Sequence, residues 1–103
     1  MIFIAHSLKF TKEAIDYEKK EGLVCYVPGR DTPQDSGDNI IIKNKEEMRK
    51  CDEVHILWDA VSQGTLVDLG MAMGMDKKIK IIDIIPRSWG SYLQTKIGNY
   101  LKV

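Results

Sequence analysis

Ser62-Gln63-Gly64-Thr65-Leu66-Val67-Asp68-Leu69-Gly70-Met71-Ala72, entered from the apolar run Val54-His55-Ile56-Leu57-Trp58, decides how this chain is read. The run has the length and composition of a buried strand, and the segment after it opens a helical spacing. A strand, a turn of small residues and a helix start aim backbone N–H groups at one spot, where an anion or a sugar hydroxyl can bind. Asp68 stands one turn into that helix, so its carboxylate reaches whatever the turn holds.

The flanking sequence repeats this unit. Ile2 to Ala5 is a first strand, Phe10-Thr11 offers an N-cap signal, Ala14 and Ile15 face inward, and Gly22 closes the helix as a C-cap. Leu23 to Val27 is a second strand. Pro28 to Asp38 is dense in turn formers and is expected to be a loop, longer than most α/β connections. Asn39 to Lys50 fits a helix whose inward stripe is Ile41, Asn44, Met48 and Cys51, with one polar residue in its middle. The helix after the third strand runs from about Gly64 to Met75. Ile79 to Ile85 is a fourth strand stopped by Pro86, and a last helix from Ser88 spaces Trp89, Leu93, Ile97 and Leu101 on one face.

This alternation predicts an α/β domain: a three-layer, flavodoxin- or Rossmann-like open parallel sheet, strand order 2-1-3-4. The order reverses between strands one and three, so a crevice is expected above their carboxyl ends. His6-Ser7-Leu8 and Asp59 to Thr65 reach it, and the long loop and Pro86 to Trp89 are expected to wall it. Asp68, His6, Ser7 and Arg30 then converge, although they are scattered in sequence.

Composition narrows the function. The 103 residues are expected to form one domain, residues 1–103, with a single core. Lys+Arg and Asp+Glu are balanced at 15 each, which argues against nucleic acid as a partner. No apolar run is long enough for a bilayer, and Met1 leads into a strand rather than a signal peptide, so a cytoplasmic protein without membrane contact is expected. Cys25 and Cys51 suit buried thiols of a reducing compartment. With His6 and His55 as the only histidines and no paired-ligand spacing, neither a metal nor a cofactor is expected.

Plainer readings stand beside these. Ser62 also fits the N-cap of its helix, and Asp68 a carboxylate favoured by the positive helix end. Gly64, Gly70 and Gly74 fit close helix–sheet packing, Asn44 a buried amide bonded to a loop, and His6 a structural ring. Trp58 and Trp89 read as core. Arg30 has little packing reason to be in the loop, yet could pair with Asp31 or Asp35.

The pattern Ser62-Gln63-Gly64-Thr65-x-x-Asp68-x-Gly70-x-Ala72 resembles the signature of the nucleoside 2-deoxyribosyltransferase-like family, which shows Asp or Ser, then x-Gly-Thr-x-x-Glu-x-Gly-x-Ala, after the third strand. Phe3-Ile4-Ala5-His6-Ser7, Val27-Pro28-Gly29-Arg30-Asp31 and Lys50-Cys51-Asp52 are similar to other parts of its pattern. The resemblance implies N-glycosidic chemistry on a nucleoside or nucleotide, transfer or hydrolysis, through a carboxylate that meets an oxocarbenium-like centre. It implies Asp68 as nucleophile, Asn44 at the place of an acid serving the leaving base, and Ser62 at the 5′ end of the sugar. Gly64 and Thr65 shape the sugar's cradle, and His6 and Ser7 lie against sugar or base. Ser62 in place of Asp, with Arg30 as opposing charge, implies preference for a 5′-monophosphate. Homodimers or larger homo-oligomers are implied too, with Ile40, Ile42, Met71 and Met75 as interface candidates. Three positions depart from the pattern: Asp68 is a methylene shorter than Glu, Asn44 cannot give a proton as an acid does, and Phe3 lacks a tyrosine's hydroxyl. A displacement of about an ångström at a reacting group can cost ~10²-fold in rate. The second expectation is therefore a nucleotide-binding or sensing module that keeps the pocket without efficient catalysis.

Overall fold

The computed structural model describes residues 1–59 and 61–84. The expected helix from Ser88, the wall at Pro86 to Trp89 and the end of the fourth strand at Ile85 lie outside these residues. Strands β1 (Ile2–Ala5), β2 (Cys25–Tyr26), β3 (Glu53–Trp58) and β4 (Lys78–Asp83) form one sheet in the order β2-β1-β3-β4. Every pairing is parallel: Ile2 stands beside Cys25 on one side and Glu53 on the other, and Glu53 beside Lys78. Helices α1 (Thr11–Glu21), α2 (Pro28–Asp31), α3 (Gly37–Lys50) and α4 (Gln63–Gly74) make the connections. The predicted open parallel α/β fold and its strand order are those observed.

Alternation along the strands splits the core between the two faces of the sheet. Phe3, Ala5, Val54 and Ile56 point to one face with Met48 of α3 and with Leu69 and Ala72 of α4. Ile4 and Leu57 point to the other, with Ala14 of α1 and the partly buried Ile15 and Tyr17. Three layers result, and the central strands β1 and β3 are buried on both faces, which their near-continuous apolar sequences allow. Cys25 and Cys51 are free and buried, and burial pushes the Cys25 thiol up to about 11, so neither is poised to react.

Local signals place the element ends. Gly22 takes the left-handed conformation (φ 63°) that ends α1, where only glycine pays no Cβ penalty. Ser36 and Ser62 cap α3 and α4, each hydroxyl accepting a backbone N–H at 3.3 Å, from Asn39 and Thr65. The stretch after β2 is not simply a loop. Pro28 begins the single-turn helix α2, because its fixed φ suits a first helical position, and α3 starts at Gly37, two residues before the expected Asn39. The inner face of α3 also differs from expectation: Asn44, Glu47 and Met48 are buried, while Ile41 is half exposed. Glu47 is held there by Lys43 and Lys50 at 2.9 and 3.2 Å. No helix among the described residues is long and apolar enough to cross a membrane.

Candidate functional site

A cavity of about 390 Å³ opens where the strand order reverses. Its floor comes from the segment after β1, His6 to Leu8; Pro28 and Gln34 form one side. Ile40, Ile41 and Asn44 of α3 make a second wall, and Val67, Asp68 and Met71 of α4, with Ser62 and Gly64 at its start, a third. Segments far apart in sequence thus converge as the topology requires. Of the residues expected here, His6, Ser7, Asn44, Ser62, Gly64 and Asp68 line the cavity; Arg30 and Thr65 do not.

Asp68 is the chemically unusual group. It lies within the second turn of α4, is 8 % exposed, and no hydrogen bond or ion pair to its carboxylate is present among the described residues. Burial alone pushes its carboxyl up to about 7. Near neutrality it exchanges its proton readily, and its ionised form lacks the solvation that would blunt its attraction for a positive centre. Proton transfer and stabilisation of a developing cation are both within its reach.

Asn44 sits opposite in α3, equally buried. Its Oδ1 accepts from the Thr32 hydroxyl at 2.7 Å, and that hydroxyl is 2.5 Å from the Tyr26 hydroxyl. Thr32 and Tyr26 carried no signal in the sequence reading, because this chain of hydroxyls joins β2, the following loop and α3. Phe3 packs against Tyr26 with ring centroids 5.6 Å apart and is wholly buried, so it belongs to the core. Trp58 is buried as well, as its apolar run predicts.

His6 is occupied by the backbone. Gly29 N–H donates to Nε2 at 3.1 Å, which leaves Nδ1 as the protonated nitrogen, donating to the Ser7 carbonyl at 2.8 Å. Burial lowers its pKa, so the ring stays neutral and acts as a strut between the ends of β1 and β2. Gly29 is required at this contact. A Cβ there would collide with the Thr11 side chain and stand 2.7 Å from His6 Cε1.

Arg30 is drawn to the other side of β2. Its guanidinium holds Glu18 at 2.6 Å and Asp31 at 2.8 Å and reaches the Cys25 carbonyl at 3.3 Å. Pairing with Asp31, one of the plain readings, is what the structure adopts, joined by a partner on α1. Thr65 is 1 % exposed and its Oγ1 has no partner among the described residues. Ser62 is the helix cap and a cavity residue at once. Among the described residues Gly64, Gly70 and Gly74 meet no close neighbour: a Cβ on Gly64 would meet only Ser62 Oγ at 3.9 Å, and on the other two nothing within 4 Å. Asp59 shapes the turn before α4, one carboxylate oxygen accepting from Val61 N–H at 3.1 Å and Ser62 N–H at 2.9 Å. Its position directly after a strand is the signal that could have marked it.

Of the expected interface residues, Ile42 is exposed, but Met71 and Met75 pack against the core and Ile40 lines the cavity. Ile41 and Val67 line the cavity while about half exposed, so they form its rim. Among the described residues no group of His, Cys, Asp and Glu could hold a metal. Comparison of the chain with family models, with curated proteins and with solved structures finds no match in any of the three.

Proposed function

We propose that this protein performs N-glycosidic bond chemistry on a nucleoside or nucleotide, with Asp68 as the carboxylate that meets the anomeric carbon. The observation that carries the reading is a desolvated Asp68, unpaired among the described residues, in a cavity of ligand size at the switch point of a parallel sheet. An oxocarbenium-like transition state brings the positive charge that this carboxylate lacks in the free protein. The burial that makes ionisation costly strengthens that pairing, so the stabilisation falls on the transition state rather than on a neutral ground state. Ser62 and the first N–H groups of α4 stand where a sugar hydroxyl or a phosphate oxygen would be held. Leu8, Ile41 and Met71 supply apolar surface for a base.

The withdrawal of Arg30 removes the cation expected to favour a 5′-monophosphate, leaving that preference to Ser62 and the helix start. A second copy of the chain laid over the rim at Ile41 and Val67 would close the cavity; a monomer by light scattering at micromolar concentration speaks against this. Incubation with a panel of nucleosides, their 5′-monophosphates and NAD, with and without an added free base, tests the reading. Released base indicates hydrolysis and exchanged base indicates transfer. Binding without either result leaves the sensing module, and no interaction with any of them overturns the proposal.

A further inference from the structure

Thr32 ties two amides together at the cavity. Its hydroxyl donates to Asn44 Oδ1 at 2.7 Å, and its carbonyl oxygen accepts from Gln34 Nε2 at 2.8 Å. The Pro28 carbonyl accepts from the same Gln34 nitrogen at 3.2 Å. Asn44 and Gln34 both line the cavity, and Thr32 does not. Each amide therefore has one end tied to its neighbours and the other free: an NH2 donor on Asn44 and a carbonyl acceptor on Gln34, neither bonded to a described residue.

The direction of the Asn44 amide follows from a proton count. Thr32 has one hydroxyl proton, given to Asn44, so Tyr26 donates to Thr32. In the reverse arrangement the buried Tyr26 hydroxyl, bonded among the described residues to Thr32 alone, would keep a proton without an acceptor there, which is costly. The hydroxyl chain thus acts as a positioning device for a donor, and Gln34 sets an acceptor from the same anchor.

We infer that this clamped pair reads the edge of a nucleobase that carries an amino group beside a ring nitrogen, the nitrogen accepting from Asn44 and the amino group donating to Gln34. The inference rests on the nucleoside reading of the cavity and adds the class of base. Amides of Asn and Gln suit such an edge because it presents one acceptor and one donor side by side. An oxo base puts a carbonyl where the amino group stands, and that carbonyl would face the Gln34 carbonyl oxygen. Discrimination of roughly tenfold to a hundredfold is expected from one such pair.

Calorimetric titration with carbocyclic 2′-deoxyadenosine and carbocyclic 2′-deoxyinosine tests it. These probes lack the ring oxygen that an oxocarbenium-like state needs, so they bind without reacting. The wild-type protein is expected to hold the amino compound roughly tenfold to a hundredfold more tightly. Thr32→Val frees Asn44 and should bring the ratio close to unity, and Gln34→Leu, at an exposed side chain that leaves the fold intact, should do the same. A merely structural role for Thr32 would lower the melting temperature and leave the ratio alone. Equal wild-type affinities, or an unchanged ratio in Gln34→Leu, overturn the base-edge inference while the nucleoside reading stands. Binding of neither probe overturns the base-edge inference, and the nucleoside reading then stands or falls on the panel above.

Discussion

At the β2 edge, Asp31 accepts the Val27 N–H at 2.9 Å and the Arg30 guanidinium at 2.8 Å, whereas Asp68 in α4 has no such partner among the described residues. The Arg30 guanidinium holds the Asp31 carboxyl below its ordinary value, and burial pushes the Asp68 carboxyl up to about 7. The histidines divide in a similar way. His55, under α1, lies 2.7 Å from the Tyr17 hydroxyl and 3.2 Å from Glu53, a set of side chains that satisfy one another. His6, at the cavity, is satisfied by backbone at both ring nitrogens, with no side chain bonded to it among the described residues. The α1 side spends its polar groups on each other; on the cavity side Asp68, the Asn44 amide nitrogen and the Gln34 carbonyl have no partner among the described residues. An unpaired buried carboxylate such as Asp68 is costly, and that cost is what supports the proposal of binding and chemistry at the cavity.

The sharpest way to break this contrast is Asp68→Asn. Base release should fall on the order of 10³-fold or more while binding of the unreactive probes persists; turnover at the wild-type rate would remove Asp68 from the chemistry. In the wild-type protein kcat/KM should rise about tenfold per pH unit below the Asp68 pKa of about 7 and level off above it, since the proposed chemistry uses the ionised form. A flat profile across pH 5 to 9 would contradict that role.

The same variant should gain stability where the wild type loses it. Between the ordinary carboxylate value of 3.8 and about 7, the folded state holds the Asp68 proton and the unfolded state does not. Folding stability therefore falls as pH rises through that window, by an amount on the order of a few kcal/mol. Asp68→Asn should melt higher than wild type at pH 8 and show little difference at pH 3.5, as read by thermal unfolding. A gap of the same size at both pH values would mean that burial of the charge is not its source.

Two smaller effects sharpen the other half. Gly29→Ala pushes a Cβ into the Thr11 side chain and against the His6 ring, and should cost about 1–3 kcal/mol by denaturant unfolding; an unchanged midpoint would show that this approach can relax. Glu18→Gln weakens the Arg30 pairing on a partly exposed face and should cost less than about 1 kcal/mol with activity unchanged. Loss of activity in that variant would show that the α1 side is not separate from the site.

Much of this was legible along the chain. Apolar runs of strand length alternating with helical spacing named the four strands and three of the helices; turn chemistry named Gly22 as a cap and Ser62 as the start of α4. The reversal of strand order then placed Asp68, Ser62 and His6 at one crevice, from topology alone. Ile41 was misplaced because its apolar side chain fits the helical period as well as Ile40 does, and only the cavity decides which of the two turns outward. The turn at Pro28 looks like a loop in sequence because four residues leave too little periodicity to be seen.

What the sequence by itself determined are properties set within a few residues, namely element type, capping and the presence of a carboxylate one turn into α4, together with the parallel arrangement that follows from the alternation of those elements. Which polar groups are spent and which are free was decided only by the tertiary structure. Arg30 meets Glu18 twelve residues away, Thr32 meets Asn44 across a loop, and Asp68 loses its solvation to walls built from segments across the chain. Hydrogen bonding and desolvation act over a few ångströms in space, whatever the separation in sequence, so no local pattern encodes them.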